Sequence, residues 1–341
     1  MKHELRPRAS LKALLPVIIL CLAAEAATQA TPQMTLTDRI RLAEAFRLAD
    51  KIGDDVWKGW SRAPFAVALV TPEYEFLVRH PSPSKAFTET GYDSMLKSKV
   101  YYRKRVFNPE FLATMYVDGV PTIVAGRAET TDARTSTRWV VTLMHEHFHQ
   151  LQYSQPDYQA GVTALNLARG DQTGMWMLNY PFPYADTEVN RRFAVMVEAL
   201  ASALQSRKTP QFSSRLTAYF ESRKQFEQSL SADDYRYFSF QLWQEGLARY
   251  TEYRIAKLAA RDYKPSKEFI ALKDFSPFEQ DASYTLNRVL SRLPKLTLET
   301  GQRTTFYTVG AAEALLLDEA NPDWQRRYLA EKFYPEKYFV K

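Results

Sequence analysis

The chain contains His145-Glu146-His147-Phe148-His149, a pentapeptide that predicts both a helix and a metal site. Two histidines four residues apart project from one face of an α-helix, because four residues make about 1.1 turns. Their imidazoles can hold one metal ion, and the glutamate after the first histidine then lies beside that ion. The chain has 5 histidines in all, so three within this pentapeptide is a high local concentration.

The residues around the pentapeptide favour the helix that this chemistry needs. Thr135 or Ser136 can cap its start, and no proline or glycine follows until Pro156. Apolar residues recur at helical spacing, at Trp139, Val140, Leu143, Met144, Phe148 and Leu151. We predict a helix of about five turns with one buried face. His147 lies about 200° around it from His145 and cannot share the ion, so we expect it to face solvent or to support a ligand from behind.

The first residues are typical of an export signal. Lys2, Arg6, Arg8 and Lys12 precede a short apolar run at residues 14–22, and Ala24-Glu25-Ala26 resembles a cleavage site. We predict a signal peptide at 1–26, a mature start near Ala27 and a periplasmic or extracellular protein without stable membrane insertion. An uncleaved anchor is the alternative. The only cysteine, Cys21, would leave with the signal, which excludes a cysteine hydrolase and a cysteine-ligated zinc site.

The charge pattern argues against nucleic acid as a partner. The formal net charge of +6 at pH 7 is modest for 341 residues, and basic runs such as Arg103-Lys104-Arg105 are short. Such runs are typical of solvated strand ends.

The hydrophobic pattern predicts an α+β fold in one domain, residues 27–341. A helix at 37–60 precedes strands at 65–70, 76–78, 100–107, 112–117 and 120–124, with a polar loop at 81–91 and a hairpin turn at Asp118-Gly119. A small mixed or antiparallel sheet followed by the His145 helix is the order of a zincin-like catalytic domain. After an aromatic loop at 160–186, helices dominate, at about 189–207, 211–229, 232–262, 304–319 and 322–331. We therefore expect an α/β part at about 35–155 and a mainly helical part at 156–341.

A catalytic zinc ion needs a third protein ligand besides the two histidines. His3 leaves with the signal and His80 sits at a strand end before Pro81, so a carboxylate is the better candidate. Glu245-Gly246-Leu247-Ala248-Arg249-Tyr250 resembles the segment that supplies the glutamate ligand in gluzincins, the family that includes aminopeptidase-N-like enzymes. The resemblance covers two short motifs. The chain lacks the Gly-x-Met-Glu-Asn motif of aminopeptidase N, so that specificity is not implied.

The gluzincin resemblance implies one Zn²⁺ per chain, held by His145, His149 and Glu245, with Glu146 as general base. It also implies that the small residues after Glu245 let that helix approach the metal helix closely. Glu198, a carboxylate in an apolar helical stretch, is an alternative third ligand that would otherwise need a buried partner.

Two further residues have a functional and a structural interpretation. Glu252 lies two turns after Glu245 and either orients a histidine ligand or forms a surface salt bridge. The segment from Phe306 to Asp318 resembles the last helix of gluzincin-like proteins, where a tyrosine can donate a hydrogen bond to the oxyanion. Tyr307 is the candidate, with a packing role as the alternative.

These patterns favour an exported zinc-dependent hydrolase that cleaves peptide bonds, with a peptide or protein as substrate. A non-catalytic metal-binding or protein-binding module is one alternative, and a zinc hydrolase of a non-peptide amide or ester is another. If the hairpin of strands 112–117 and 120–124 has an exposed edge beside the metal, it can bind substrate as an added strand. The loop from Trp176 to Tyr184 would then shape side-chain pockets. The oligomeric state stays open.

Overall fold

The structure, a computed structural model, describes residues 31–339. The predicted signal at 1–26, with Cys21 and the proposed start at Ala27, lies outside the described residues. Within residues 31–339 no helix combines the length and the apolar character that a membrane span requires. One six-stranded mixed sheet is followed by a series of helices, so the predicted α+β class is confirmed.

Helix α1, Leu36–Val56, forms one layer of the core against the helix that carries the pentapeptide. Thr35 caps it by accepting a hydrogen bond from the backbone N–H of Asp38. The sequence predicted a helix as far as residue 60, but Trp57 is extended and Gly59 has φ +84°, which turns the chain. A 3₁₀ turn at Trp60–Arg62 follows and places the indole of Trp60 in the core.

The sheet has the order β3-β4-β2-β1-β6-β5. Its strands are β1 Ala66–Val70, β2 Tyr74–Val78, β3 Thr88–Asp93, β4 Ser98–Lys104, β5 Leu112–Val117 and β6 Val120–Gly126. Only the β1–β6 pair is parallel. All five residues of the central strand β1 are buried, whereas β5 forms one edge of the sheet.

Strand β3 is absent from the sequence prediction, which assigned most of its region to a loop. Thr88–Asp93 is a polar edge strand whose pairing with β4 shifts register between Glu89 and Gly91. None of its residues is buried, so the alternation of apolar and polar residues that identifies a strand is missing.

Helix α2, Ser136–Tyr153, carries the pentapeptide and is tied to the sheet by side chains. The indole Nε1 of Trp139 donates to the carbonyl of Gly126 at 2.8 Å. Further along, the amide nitrogen of Gln150 donates to the carbonyls of Ala66 and Pro121 at 2.9 and 2.8 Å. These buried bonds fix the position of α2 over β1 and β6.

The helical half matches most of the predicted segments. Its helices are α3 Tyr158–Ala164, α4 Trp176–Asn179, α5 Thr187–Gln205, α6 Phe212–Gln228, α7 Ala232–Gln241, α8 Leu247–Asp262, α9 Lys267–Ile270, α10 Phe278–Arg292, α11 Leu298–Gly301 and α12 Thr304–Ala320. The predicted helix at 322–331 is only a 3₁₀ turn, Trp324–Arg326. Helix α10 was not predicted, because its buried face includes Ala282 and Thr285 in place of large apolar residues.

A π-helical turn, Leu242–Gly246, joins α7 to α8 and contacts α12 backbone to backbone. A Cβ atom added to Gly246 would lie 2.5 Å from the Cα of Gly310. The gluzincin resemblance implied that small residues here allow close packing against the helix that carries the pentapeptide. Gly246 instead allows close packing of α12, so that expectation is wrong for this residue.

Candidate metal centre

The side chains of His145 and His149 meet in the interior beside Glu245. The two Nε2 atoms lie 3.2 Å apart. One carboxylate oxygen of Glu245, Oε2, lies 3.7 Å from Nε2 of His145 and 3.4 Å from Nε2 of His149. Both histidines are about 95 % buried, with exposures of 4 and 5 %. Three potential ligand atoms therefore converge on one point.

Their spacing fits a tetrahedral metal ion. Zinc ligands at about 2.0–2.2 Å from the ion lie roughly 3.3–3.6 Å from one another in tetrahedral geometry. The three observed separations of 3.2, 3.4 and 3.7 Å scatter around that range. The donor set of two imidazoles and one carboxylate is also one that zinc uses.

The outer nitrogen of His145 is held by a buried carboxylate. Nδ1 of His145 lies 2.8 Å from Oε1 of Glu252, whose side chain is fully buried. Two arginines compensate this charge: Arg138 donates to Glu252 at 2.9 Å and Arg249 at 2.7 Å. A carboxylate at this position places the imidazole proton on Nδ1, which leaves the lone pair of Nε2 for a metal. Glu252 is thus a support for His145 and not a surface salt bridge.

His149 is oriented by an amide. Nδ1 of His149 lies 2.7 Å from Oε1 of Gln152, while Nε2 of Gln152 donates to the backbone carbonyls of Trp243 and Gln244 at 3.1 Å. These carbonyls accept only, so they fix which end of the amide faces His149. The amide nitrogen of Gln244 also lies 3.2 Å from Nδ1, but the shorter contact is with an acceptor. We therefore assign the proton to Nδ1 and the free lone pair to Nε2.

The two tautomers leave two lone pairs and a carboxylate facing one another with no proton between them. Such a cluster needs a cation, which is either a bound metal or an added proton. Without a metal, burial lowers the pKa of His145, but Glu245 and Glu252 reverse this and raise the pKa to about 9. Burial opposes the charged form of Glu245, yet His149 and His145 hold its pKa well below the usual range. The site thus attracts positive charge.

Glu146 adds a second carboxylate to the cluster. One ligand atom from each of His145, Glu146 and His149 lies within 4.8 Å of the others, so this buried group could hold a metal ion. Between the two carboxylates, Glu245 is nearer to the histidines, since Oε1 of Glu146 lies 3.9 Å from Nε2 of His145. The hydroxyl of Thr114 on β5 donates toward Oε2 of Glu146 at 2.9 Å. Burial and Glu245 raise the pKa of Glu146 against the opposing effect of the histidines.

Tyr307 on α12 borders the same group. Its ring lies parallel to that of His145, with centroids 6.3 Å apart and an angle of 11° between the planes. Nη1 of Arg303 donates to the Tyr307 hydroxyl at 2.8 Å and lies 3.3 Å from Oε1 of Glu245. Burial and the charge of Glu245 hold the pKa of Tyr307 well above its usual value, so it stays a neutral donor.

Two other candidates lie elsewhere. Glu198 is exposed on α5 and does not line the metal cleft, so the buried partner expected for it is not needed. His147 faces away from the ligands, as predicted, but it neither meets solvent nor supports a ligand. Its ring is buried and stacks on Phe65 at 3.8 Å, where burial lowers its pKa to about 3.

The cluster opens into a cleft of about 1880 Å³. Strand β5 lines one side, and parts of α8, α10 and α12 line the other. Trp176, Met177 and Leu178 of the aromatic loop reach this cleft. Tyr180 and Phe182 do not reach it, because they are buried against Tyr237 in the helical core.

Sequence reasoning missed several residues of the site. Gln152 lies three residues after His149 on the same helix, so helical spacing could have identified it. The same spacing relates Arg303 to Tyr307, four residues later. Thr114 carries no local signal, since a threonine in a strand is common.

No protein-family model, no curated protein and no solved structure matches this chain. What the site can do therefore follows from its own residues.

Proposed function

We propose that this chain is a zinc-dependent hydrolase that cleaves peptide bonds. The observation that supports it most strongly is the convergence of three metal-ligand atoms, Nε2 of His145, Nε2 of His149 and Oε2 of Glu245, at 3.2–3.7 Å from one another. These three residues would hold the ion. A zinc ion bound there would supply a Lewis acid that polarises the scissile carbonyl and makes water more acidic.

Glu146 has the position and the pKa of a general base. Burial and the charge of Glu245 raise its pKa above that of an ordinary glutamate, which favours the acceptance of a proton. In this proposal Glu146 takes a proton from the attacking water and delivers it to the amine that leaves. The Thr114 hydroxyl lies 2.8 Å from the backbone carbonyl oxygen of Glu146 and 2.9 Å from its carboxylate, which holds this residue close to β5.

Tyr307 would stabilise the negative charge on the carbonyl oxygen. Arg303 donates to the tyrosine oxygen, so the tyrosine's own proton can be donated to an acceptor, which is Glu245 when no substrate is bound. A neutral phenol that faces the cleft can donate this proton to a developing oxyanion. The charge of Arg303 adds to that stabilisation.

Strand β5 offers a place for an extended peptide. The carbonyl of Phe111 accepts from the N–H of Gly126 at 2.7 Å, so residues 111, 113, 115 and 117 face β6. The backbone groups of Leu112, Thr114 and Tyr116 therefore point toward the free edge. Residues 110–116 line the cleft, so a peptide added to this edge would pass beside Glu146.

The cleft also favours a chain-like substrate over a compact one. Its volume of about 1880 Å³ exceeds the roughly 300–1,000 Å³ of ordinary small-molecule pockets. A non-catalytic metal-binding module would need neither Glu146 with a raised pKa nor Tyr307 beside the ligands.

The direct test measures metal content and hydrolysis on the same preparation. We expect about one zinc per chain by elemental analysis, and cleavage of a quenched-fluorescent peptide library that stops on chelation and returns with zinc. A protein that takes up no zinc, or a zinc-loaded protein that cleaves no peptide, would contradict the proposal.

A further inference from the structure

The wall of the cleft formed by α8, α10 and the start of α2 has more arginines than carboxylates. The arginines are Arg138, Arg249 and Arg288, and the carboxylates are Glu252 and Asp281. Helix α10 packs on α8 and contributes Gln280, Asp281, Tyr284 and Arg288 to the lining. Asp281 and Thr285 bind Arg138 at 3.1 and 2.7 Å, which anchors this face of α10 to the support of the metal site. Arg288 lies one turn beyond Thr285 on the same face.

Arg288 has no partner in this wall. It makes no hydrogen bond or ion pair with any other residue in 31–339, although it is half-buried and lines the cleft. Burial and the positive charges of Arg249 and Arg292 lower its pKa more than Tyr284 and Glu252 raise it, but an arginine keeps its proton. A half-buried guanidinium near other cations is costly unless an anion is supplied from outside the chain.

Arg249 lies near Arg288 and also contacts Glu252, the carboxylate beside His145. Its Nη1 makes both bonds to Glu252, at 2.7 and 2.8 Å, and its other guanidinium nitrogens have no hydrogen-bond partner in the described chain. Its Cζ lies 5.8 Å from the ring centroid of Tyr307, which itself lies parallel to His145. A group bound by Arg249 and Arg288 would therefore lie close to the reacting bond.

We propose that Arg249 and Arg288 form a carboxylate-binding subsite, so that the preferred substrate is a peptide with a carboxylate near the bond that is cleaved. The peptide nature of this substrate rests on the proposed function. Two guanidinium groups suit a carboxylate, since each can donate two parallel N–H bonds to its oxygens. The carboxylate is either the free C-terminus of the peptide or an acidic side chain, and both present the same chemistry to this wall.

Binding can be measured without cleavage on the zinc-loaded Glu146→Gln protein. The probes are fluorescein-labelled Ala/Gly peptides with a free C-terminus, with a C-terminal amide, and amidated with glutamate or glutamine at each internal position in turn. We expect one carboxylate-bearing form to bind at least about tenfold more tightly than its neutral counterpart, as for a charge-assisted hydrogen bond. Preference for the free acid indicates C-terminal recognition, and preference for glutamate at one position indicates an acidic side chain.

The same comparison in Arg288→Gln assigns the preference to this residue. In this variant the affinities for the carboxylate-bearing and neutral peptides should differ by no more than about twofold. Arg288→Lys should keep part of the preference because the positive charge remains. Arg292→Gln is the matched control, since Arg292 is an exposed arginine on the same helix outside the cleft lining. Zinc content and melting temperature show that each variant is folded.

Equal affinity for acidic and neutral peptides, a preference that survives Arg288→Gln, or no binding of any probe would overturn the subsite. These results differ from a failure of the proposed function. If wild-type protein cleaves no peptide but the Arg288-dependent preference is present, the hydrolase proposal fails and the subsite stands. If wild-type protein cleaves acidic and neutral peptides equally well, the hydrolase stands and the subsite fails.

Discussion

Nε2 of His145 lies 3.2 Å from Nε2 of His149, and the outer nitrogen of each ring faces an acceptor, Glu252 or Gln152. Two lone pairs at this separation repel each other unless a cation lies between them. The polar groups beside the outer nitrogens would thus orient both rings for one ion before it binds.

Replacement of Glu146 or Glu245 by glutamine should have different effects on zinc content and on turnover. Glu146→Gln should keep zinc, because Glu245 is closer to the ligand nitrogens, but should lower kcat by about 10²–10⁴ as expected for a lost general base. Glu245→Gln should lose zinc first. Elemental analysis and peptide turnover on both variants measure this split, and zinc loss in Glu146→Gln alone would reverse the two roles.

Glu252 should control metal affinity without touching the metal. Glu252→Gln removes the carboxylate from Nδ1 of His145, leaves Arg249 without an anionic partner and leaves Arg138 with Asp281 alone. We expect zinc affinity to fall by about 10–100-fold, but less than in Glu245→Gln. Chelator competition gives the affinities. Glu198→Gln, on the exposed face of α5, is the control and should behave as wild type.

The free edge of β5 should respond to proline according to which way each N–H points. Tyr116→Pro removes an outward N–H and should raise KM about 2- to 10-fold, the loss of one hydrogen bond, with the fold intact. Met115→Pro removes an N–H that faces β6 and should destabilise the protein. Tyr116→Ala separates the effect of the side chain. Unchanged KM in Tyr116→Pro would show that substrate does not use this edge.

Proline substitutions at residues 122–125 cannot probe this edge. Those residues belong to β6, which lies between β1 and β5 and is paired on both sides. A proline there would break the sheet.

The contact between Gly246 and Gly310 should tolerate no side chain. Gly310→Ala places a Cβ 2.7 Å from the Cα of Gly246 and 2.8 Å from the carbonyl oxygen of Leu242, so α12 must move. We expect a loss of about 1–3 kcal/mol in the free energy of unfolding. Gly53→Ala in α1 is the control, because its nearest neighbour is 3.7 Å away and alanine favours a helix by about 1 kcal/mol. Denaturant unfolding of both variants decides, and equal stabilities would contradict the packing argument.

Local geometry explains why the sequence located part of the site. A helix turns a spacing of four residues into adjacency, which places His145 beside His149. The spacing from Glu245 to Glu252 was less reliable, because Glu245 lies in the π-helical turn before α8. The side chain of Glu245 was found through a short motif and that of Tyr307 through a resemblance, and both lie beside the histidines in the structure.

The remaining residues depend on contacts between distant segments, which periodicity does not encode. Thr114 and Arg288 reach the cleft only because β5 and α10 fold onto α2 and α8. The solvent-exposed β3 lacks the alternating apolar pattern that identifies a strand, and the buried face of α10 carries Asp281, Ala282 and Thr285 between Phe278 and Val289, which weakens its helical pattern. The prediction for His147 was wrong because periodicity does not show which residues of distant segments pack on a helix face. Here the ring of Phe65 stacks on the ring of His147.

The anchoring of Arg138 also bears on the order in which the molecule folds. This side chain bonds Glu252, 114 residues later, and Asp281, 143 residues later. We expect contacts of such sequence separation to form late, because closing the large loop between the two residues costs conformational entropy before the contacts can stabilise the chain. The two histidines can be helical early, but the carboxylate that orients His145 arrives only with the C-terminal half. A ribosome-bound or still-unfolded chain would therefore carry the pentapeptide without a completed centre, and the proposed hydrolysis would begin only when folding ends.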